Sequence, residues 1–194
     1  MGKRRYRVKS EMKKKILLFG LFASFPAFAL RMEAFIQKHY EDDTSAVEVK
    51  RDLTPSVSIG RNAIEMEVDT LQKVQKLTAA PVMQGNQYQW LCVKTNGGMS
   101  YGFISDNEMG NGTITAIALL GNGEGCKTFD DPLSVTVKGV PLPEATSTER
   151  ASAFGQVADF YYKETPVKGG LVQSNDIRYY SDEGGVILNQ ITVN

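Results

Sequence analysis

Histidine, cysteine and tryptophan are scarce in this chain of 194 residues, with one, two and one copies respectively. The lone His39 sits beside Glu41, Asp42 and Asp43, with no G-x-S-x-G elbow or reactive-cysteine context. A catalytic triad needs a base beside a nucleophile, so the expectation for His39 is a solvated residue. One histidine and one cysteine pair do not supply the three or four ligands that zinc takes. The acidic turns at Asp106-Asn107-Glu108 and Asp182-Glu183 lack the alternating ligands and terminal Glu of a calcium loop. They are instead the residues that hairpin turns need. The stretches "GNGTI" and "GNGEG" match neither the P-loop nor the dinucleotide fingerprint. The sequence therefore predicts no catalytic set, no metal site and no cofactor.

Long apolar runs are also missing beyond residue 29. The single run, "ILLFGLFASFPAFA", is shorter than the roughly 20 residues a spanning helix needs. It follows a basic stretch and ends in Ala27, Phe28 and Ala29, the small-x-small pattern of a signal peptidase site. Residues 1–29 thus read as a secretory signal peptide cleaved after Ala29, with translation starting at Met1 or at Met12. The expected location is the periplasm or the exterior of a bacterium, with no membrane insertion after cleavage.

Basic residues become sparse once that segment is set aside. It holds 8 of the 22 basic and 1 of the 22 acidic residues, leaving 14 basic against 21 acidic, a net of −7. Such a balance speaks against nucleic acid, which needs basic patches to neutralise phosphate. In an exported chain, Cys92 and Cys126 read as one disulfide, worth about 3 to 4 kcal/mol on the chain-entropy account.

What is present is periodicity. Residues 30–54 form an N-terminal leader or a short helix, with Met32, Phe35 and Ile36 at helical spacing. In 55–131 an extended segment or hairpin, "VSIGRNAIEMEVDT", leads to a helix bearing Leu71, Val74 and Leu77, capped by Asp69 or Thr70 and ended near Pro81. Three strands follow, "QYQWLCVKT", "MSYGFIS" and "NGTITAIALL". In 132–194 the order returns: "LSVTVKGV", a helix in "TSTERASAFG" with Ser147 as its cap and Gly155 as its stop, then "VADFYYKE", "DIRYY" and "VILNQITVN". Ser105-Asp106 and Ser181-Asp182 lie 76 apart, and Thr70-Leu71 and Ser147-Thr148 lie 77 apart. Agreement of distant features at one spacing marks a duplicated unit. The predicted fold is α+β: two tandem repeats of a short helix plus antiparallel strands, forming a joined sheet with helices on one face.

Adjacent aromatic pairs on a strand send one ring to each side of a sheet. With one side packed on helices, Trp90, Tyr101, Tyr161, Tyr162, Tyr179 and Tyr180 become candidates for an exposed partner-binding face, unless they are cross-strand pairs shielding the sheet. The helix echoes "DTLQKVQKLT" and "TSTERASAFG", with strands such as "WLCVKT", give an arrangement that resembles the β-lactamase-inhibitor-protein-like fold. It is more distantly similar to the small outer-membrane lipoprotein A family of assembly factors. The second repeat has no disulfide, there is no lipid-bearing cysteine, and the Gly-Met dipeptide usual before the helix is absent. The leading expectation is an exported, non-enzymatic binding protein for a protein partner, inhibitor- or immunity-like. The alternatives are a binder of a small molecule or envelope component between the repeats, which requires a deep apolar cavity at their junction, and a hydrolase with two converging carboxylates.

Overall fold

The computed structural model describes residues 27–121, 123, 125–143 and 145–194. Their helices are α1 (Ala27–Glu41), α2 (Leu71–Thr78) and α3 (Ser147–Phe154). The strands are β1 (Val47–Glu48), β2 (Pro55–Ile59), β3 (Asn62–Ile64), β4 (Met83–Gln84), β5 (Tyr88–Thr95), β6 (Met99–Asp106), β7 (Ala116–Gly121), β8 (Lys127–Phe129), β9 (Leu133–Val137), β10 (Phe160–Pro166), β11 (Val172–Tyr180) and β12 (Gly185–Val193). The fold is α+β. The large sheet runs β1-β10-β11-β12-β7-β6-β5-β4, with β8 also against β5, and the small sheet runs β3-β2-β9.

Local chemistry sets the helix ends. The Thr70 side chain accepts from Lys73 N, and α2 stops at Ala79 in the left-handed region. In α3 the cap is Thr146, one residue before the expected Ser147, because Glu149 three positions on completes a reciprocal capping box. Gly155 closes the helix at φ 77°, a conformation glycine adopts without a Cβ clash. With the cap at Thr146, the two N-caps lie 76 positions apart, as do the two stops. Between the caps and the Ser-Asp pairs the spacing is now the same.

Two antiparallel meanders, β5-β6-β7 and β10-β11-β12, meet where β7 pairs with β12, centred on Ala118↔Ile187. Alternation divides each strand between two cores. Leu91, Val93, Phe103, Ile117, Leu119, Tyr161, Ile177, Tyr179, Val186 and Leu188 are buried with α2 and the small sheet, and Phe154 of α3 packs against them. The opposite face carries Tyr88, Trp90, Cys92, Ile104, Ala116, Ala118, Leu120, Tyr180 and Ile187, and these are buried with Met32, Phe35 and Ile36 of α1.

The helices therefore do not lie on one face. The leader's apolar residues form α1, which covers the side of the sheet away from α2 and α3. Its loop continues into β1, which joins β10 in parallel at Val47↔Tyr161, so residues 30–54 are integral to the fold. The expected signal peptide, residues 1–29, lies outside the described residues apart from Ala27–Ala29, which open α1 and include the expected cleavage residue Ala29. Among the described residues no helix is long and apolar enough to cross a membrane. Cys92 and Cys126 form a disulfide with Cα atoms 4.8 Å apart, and a disulfide is the mark of an oxidising compartment.

Candidate binding face

Five of the six candidate partner rings are buried: Trp90 is 1 % exposed, Tyr101 9 %, Tyr161 0 %, Tyr179 5 % and Tyr180 5 %. Tyr162 is half-buried. These five rings are not exposed because α1 covers Trp90 and Tyr180 on one side of the sheet, and the helices α2 and α3 with the small sheet cover Tyr101, Tyr161 and Tyr179 on the other. Alternation does split each tyrosine pair. Tyr161 and Tyr179 turn to the α3 side, where Phe154 stacks on Tyr161 at 3.8 Å. There the Tyr161 hydroxyl donates to Gln156 O and accepts from Ala158 N, and Tyr179 donates to Pro141 O. On the other side, α1 covers Trp90 and Tyr180, and Phe35 meets Tyr180 edge-on at 5.1 Å.

The surface beneath α1 is a trough of small residues. Gly102 pairs with Ala118 on adjacent strands, and Gly185 pairs with Leu120. A Cβ on Gly102 would lie 3.1 Å from Met32 Sδ, and one on Gly185 only 2.5 Å from Phe35 Cζ. Each missing side chain leaves a hollow that an α1 side chain fills. Burying Met32, Phe35 and Ile36 contributes about 1.5 to 3 kcal/mol apiece, before the entropy of ordering the helix is set against it.

At its C-terminal end α1 meets a polar cluster that the sequence reading missed. Arg178 donates to Asp42 O at 2.7 Å and lies 3.3 Å from its carboxylate. Lys38 pairs with Glu183 at 2.6 Å. His39 is not solvated: its Nδ1 is 3.3 Å from Tyr180 Oη and its Nε2 is 3.2 Å from Asn189 Nδ2. With the Asn189 amide nitrogen donating to Nε2, Nδ1–H donates to the phenol. Burial, reinforced by the nearby Arg178 charge and opposed by Asp42, lowers the His39 pKa to about 4. His39 is thus a neutral docking residue with both ring nitrogens occupied.

Asn189 faces Asp176 across β11 and β12. Burial pushes the Asp176 carboxyl up to about 7, against the pull of Arg178 and Asn189, and its Oδ1 is buried without a partner. A cleft of about 330 Å³ opens beside this cluster, lined by Lys38, Asp42, Asp159 and Tyr180 among others.

Beyond Asp176 the same face of the sheet is uncovered among the described residues. Tyr162↔Asp176↔Asn189 and Glu164↔Ser174↔Ile191 are successive rows in register, followed by Pro166↔Val172↔Val193. Tyr162, Ser174, Val172 and Ile191 are half-buried, Glu164 is exposed, and Val193 is 42 % exposed. So α1 shields β5-β6-β7 and the Tyr180–Ile187 end of β11 and β12 on this face, and among the described residues the end from Tyr162 to Val193 stays open.

Comparison with family models, curated proteins and solved structures found no match to this chain. The site is accordingly read from its own chemistry. The acidic turns are committed to structure: Asp106 Oδ1 accepts from Glu108 N and Met109 N, and Glu183 holds Lys38. Among the described residues no group of three His, Cys, Asp or Glu side chains could hold a metal ion.

Proposed function

We propose that the chain is an exported, non-enzymatic binding protein that engages a protein partner through the open half of the sheet face centred on Tyr162. The supporting observation is the half-exposed strip of Tyr162, Val172, Ile191 and Val193, bordered by Asp176 with its unpartnered oxygen. Glu164 flanks it at the exposed edge, as does Glu48, which pairs with Lys163 at 3.4 Å. Apolar centre and acidic rim suit a segment with apolar side chains flanked by basic ones, and the net charge of −7 beyond residue 29 points the same way.

In this reading the chain is a tandem duplication of the β-lactamase-inhibitor-protein-like kind, supported by helix caps and Ser-Asp pairs that recur 76 positions apart. Its location is the periplasm or the cell exterior, as the basic-apolar start and the disulfide suggest. The small-molecule alternative has less support, because the β7/β12 seam is packed by Ile117, Leu119, Val186 and Leu188, all at 2 % exposure or less.

The test is a pull-down from periplasmic extract with wild type and a Tyr162→Glu variant whose circular dichroism matches it. A protein recovered by wild type and lost with the variant supports the face. Equal recovery by both, or no recovered protein, rejects it.

A further inference from the structure

The latch between α1 and β11/β12 is built for an uncharged imidazole. Asn189 offers an N–H to His39 Nε2, so that nitrogen must keep its lone pair. A second proton on the ring replaces this bond with two hydrogens in opposition. The charged groups around His39 are mixed. From β11 come Arg178, Asp176 and the Tyr180 phenol; from α1 and its loop come Lys38, Tyr40 and Asp42; from the β11–β12 hairpin come Asp182 and Glu183. Arg178 and Asp42 act on the ring with opposite signs, and their mutual pairing at 3.3 Å spends much of Asp42's attraction on the guanidinium. A proton on His39 therefore adds a half-buried cation beside an existing one.

We propose that α1 is an acid-released cover: protonation of His39 undocks it from the sheet and bares the helix-receiving trough formed by Gly102, Ala116, Ala118 and Gly185. Undocking returns His39 to water, whereas Asp176 stays on β11 among Tyr162, Arg178 and Asn189. The response that belongs to His39 is therefore read at the cover. The trough so exposed fits the apolar face of a helix, since its hollows already take Met32 and Phe35.

The depressed histidine affinity converts to the size of the effect. A change from 6.5 to about 4 is about 300-fold in proton binding, so the opening equilibrium of α1 rises about 60-fold between pH 7 and pH 4.5 and approaches that limit at lower pH. Hydrogen exchange, with intrinsic rates corrected for pH, reads this as falling protection confined to α1 amides. Acrylamide quenching of Trp90, the single tryptophan and buried beneath α1, reads it independently. The expected result is α1 protection that falls while β5-β6-β7 and β10-β11-β12 amides keep theirs, with Trp90 becoming accessible in parallel. In His39→Gln, a neutral side chain able to accept from Asn189, both responses should disappear. Equal loss of protection across helix and sheet, an unchanged α1 at pH 4.5, or a His39→Gln variant with the wild-type response would each overturn the proposal.

Discussion

Replacing Asp176 by asparagine should stabilise the protein at neutral pH and expose a pH dependence that the wild type conceals. In the folded chain the Asp176 carboxyl is raised from 3.8 to about 7, so its contribution is fully present below pH 3.8 and is lost as pH rises toward 7. At 1.36 kcal/mol per pH unit, that loss is about 4 kcal/mol. His39 is lowered from 6.5 to about 4, so its contribution is present above pH 6.5 and falls away with acid, by about 3 kcal/mol. Between pH 4 and 6.5 the two slopes oppose each other and nearly cancel. Asp176→Asn leaves only the histidine slope, and His39→Gln only the carboxyl slope. Urea unfolding of all three chains at half-unit pH steps gives difference curves in which the shared carboxylates, including the lowered Asp42, Asp52 and Asp69, drop out. Asp176→Asn should exceed wild type by about 4 kcal/mol above pH 7 and by almost nothing near pH 4. A difference that stays constant across this range would refute the reasoning, because it would place Asp176 in water.

Three further outcomes test the architecture. Gly185→Ala should cost about 1 to 3 kcal/mol, because its Cβ would lie 2.5 Å from Phe35 Cζ; thermal unfolding measures it. Phe35→Ala should cost about 3 to 5 kcal/mol and shift Trp90 emission to longer wavelength, as water reaches the indole under α1. Cys92→Ser should lower urea stability by about 3 to 4 kcal/mol, and a reducing agent should then have no additional effect on that variant.

Much of the scaffold was legible because its signals are local. Thr70, Gly155, the alternation in "LSVTV" and the aromatic and β-branched content of "QYQWLCV" each mark an element within a few residues. The short strands β1, β4 and β8 escaped because two or three residues carry no period; only a neighbour makes them strands. The aromatic reading separated Tyr161 from Tyr162 and Tyr179 from Tyr180, then failed at the next step. Nothing in the strand sequences says that Phe35 and Ile36 come back over them. The polar cluster was half legible. "VQSNDIRYY" sets Ser174, Asp176 and Arg178 on alternate positions, and the tight turn after Tyr180 fixes Asp176 opposite Asn189. His39 joins them only through tertiary contact, with hydrogen-bonded partners 141 and 150 positions away.

That separation also governs the order of assembly. The first helix of the described chain is seated on the last strand, so it emerges early and has no complete surface to land on until Gly185–Val193 has followed. Contacts of such long sequence separation form late, since the whole intervening chain must first be closed. Throughout that interval Trp90 and Ile104 lie bare, and the nascent protein presents a sticky sheet that its finished form hides.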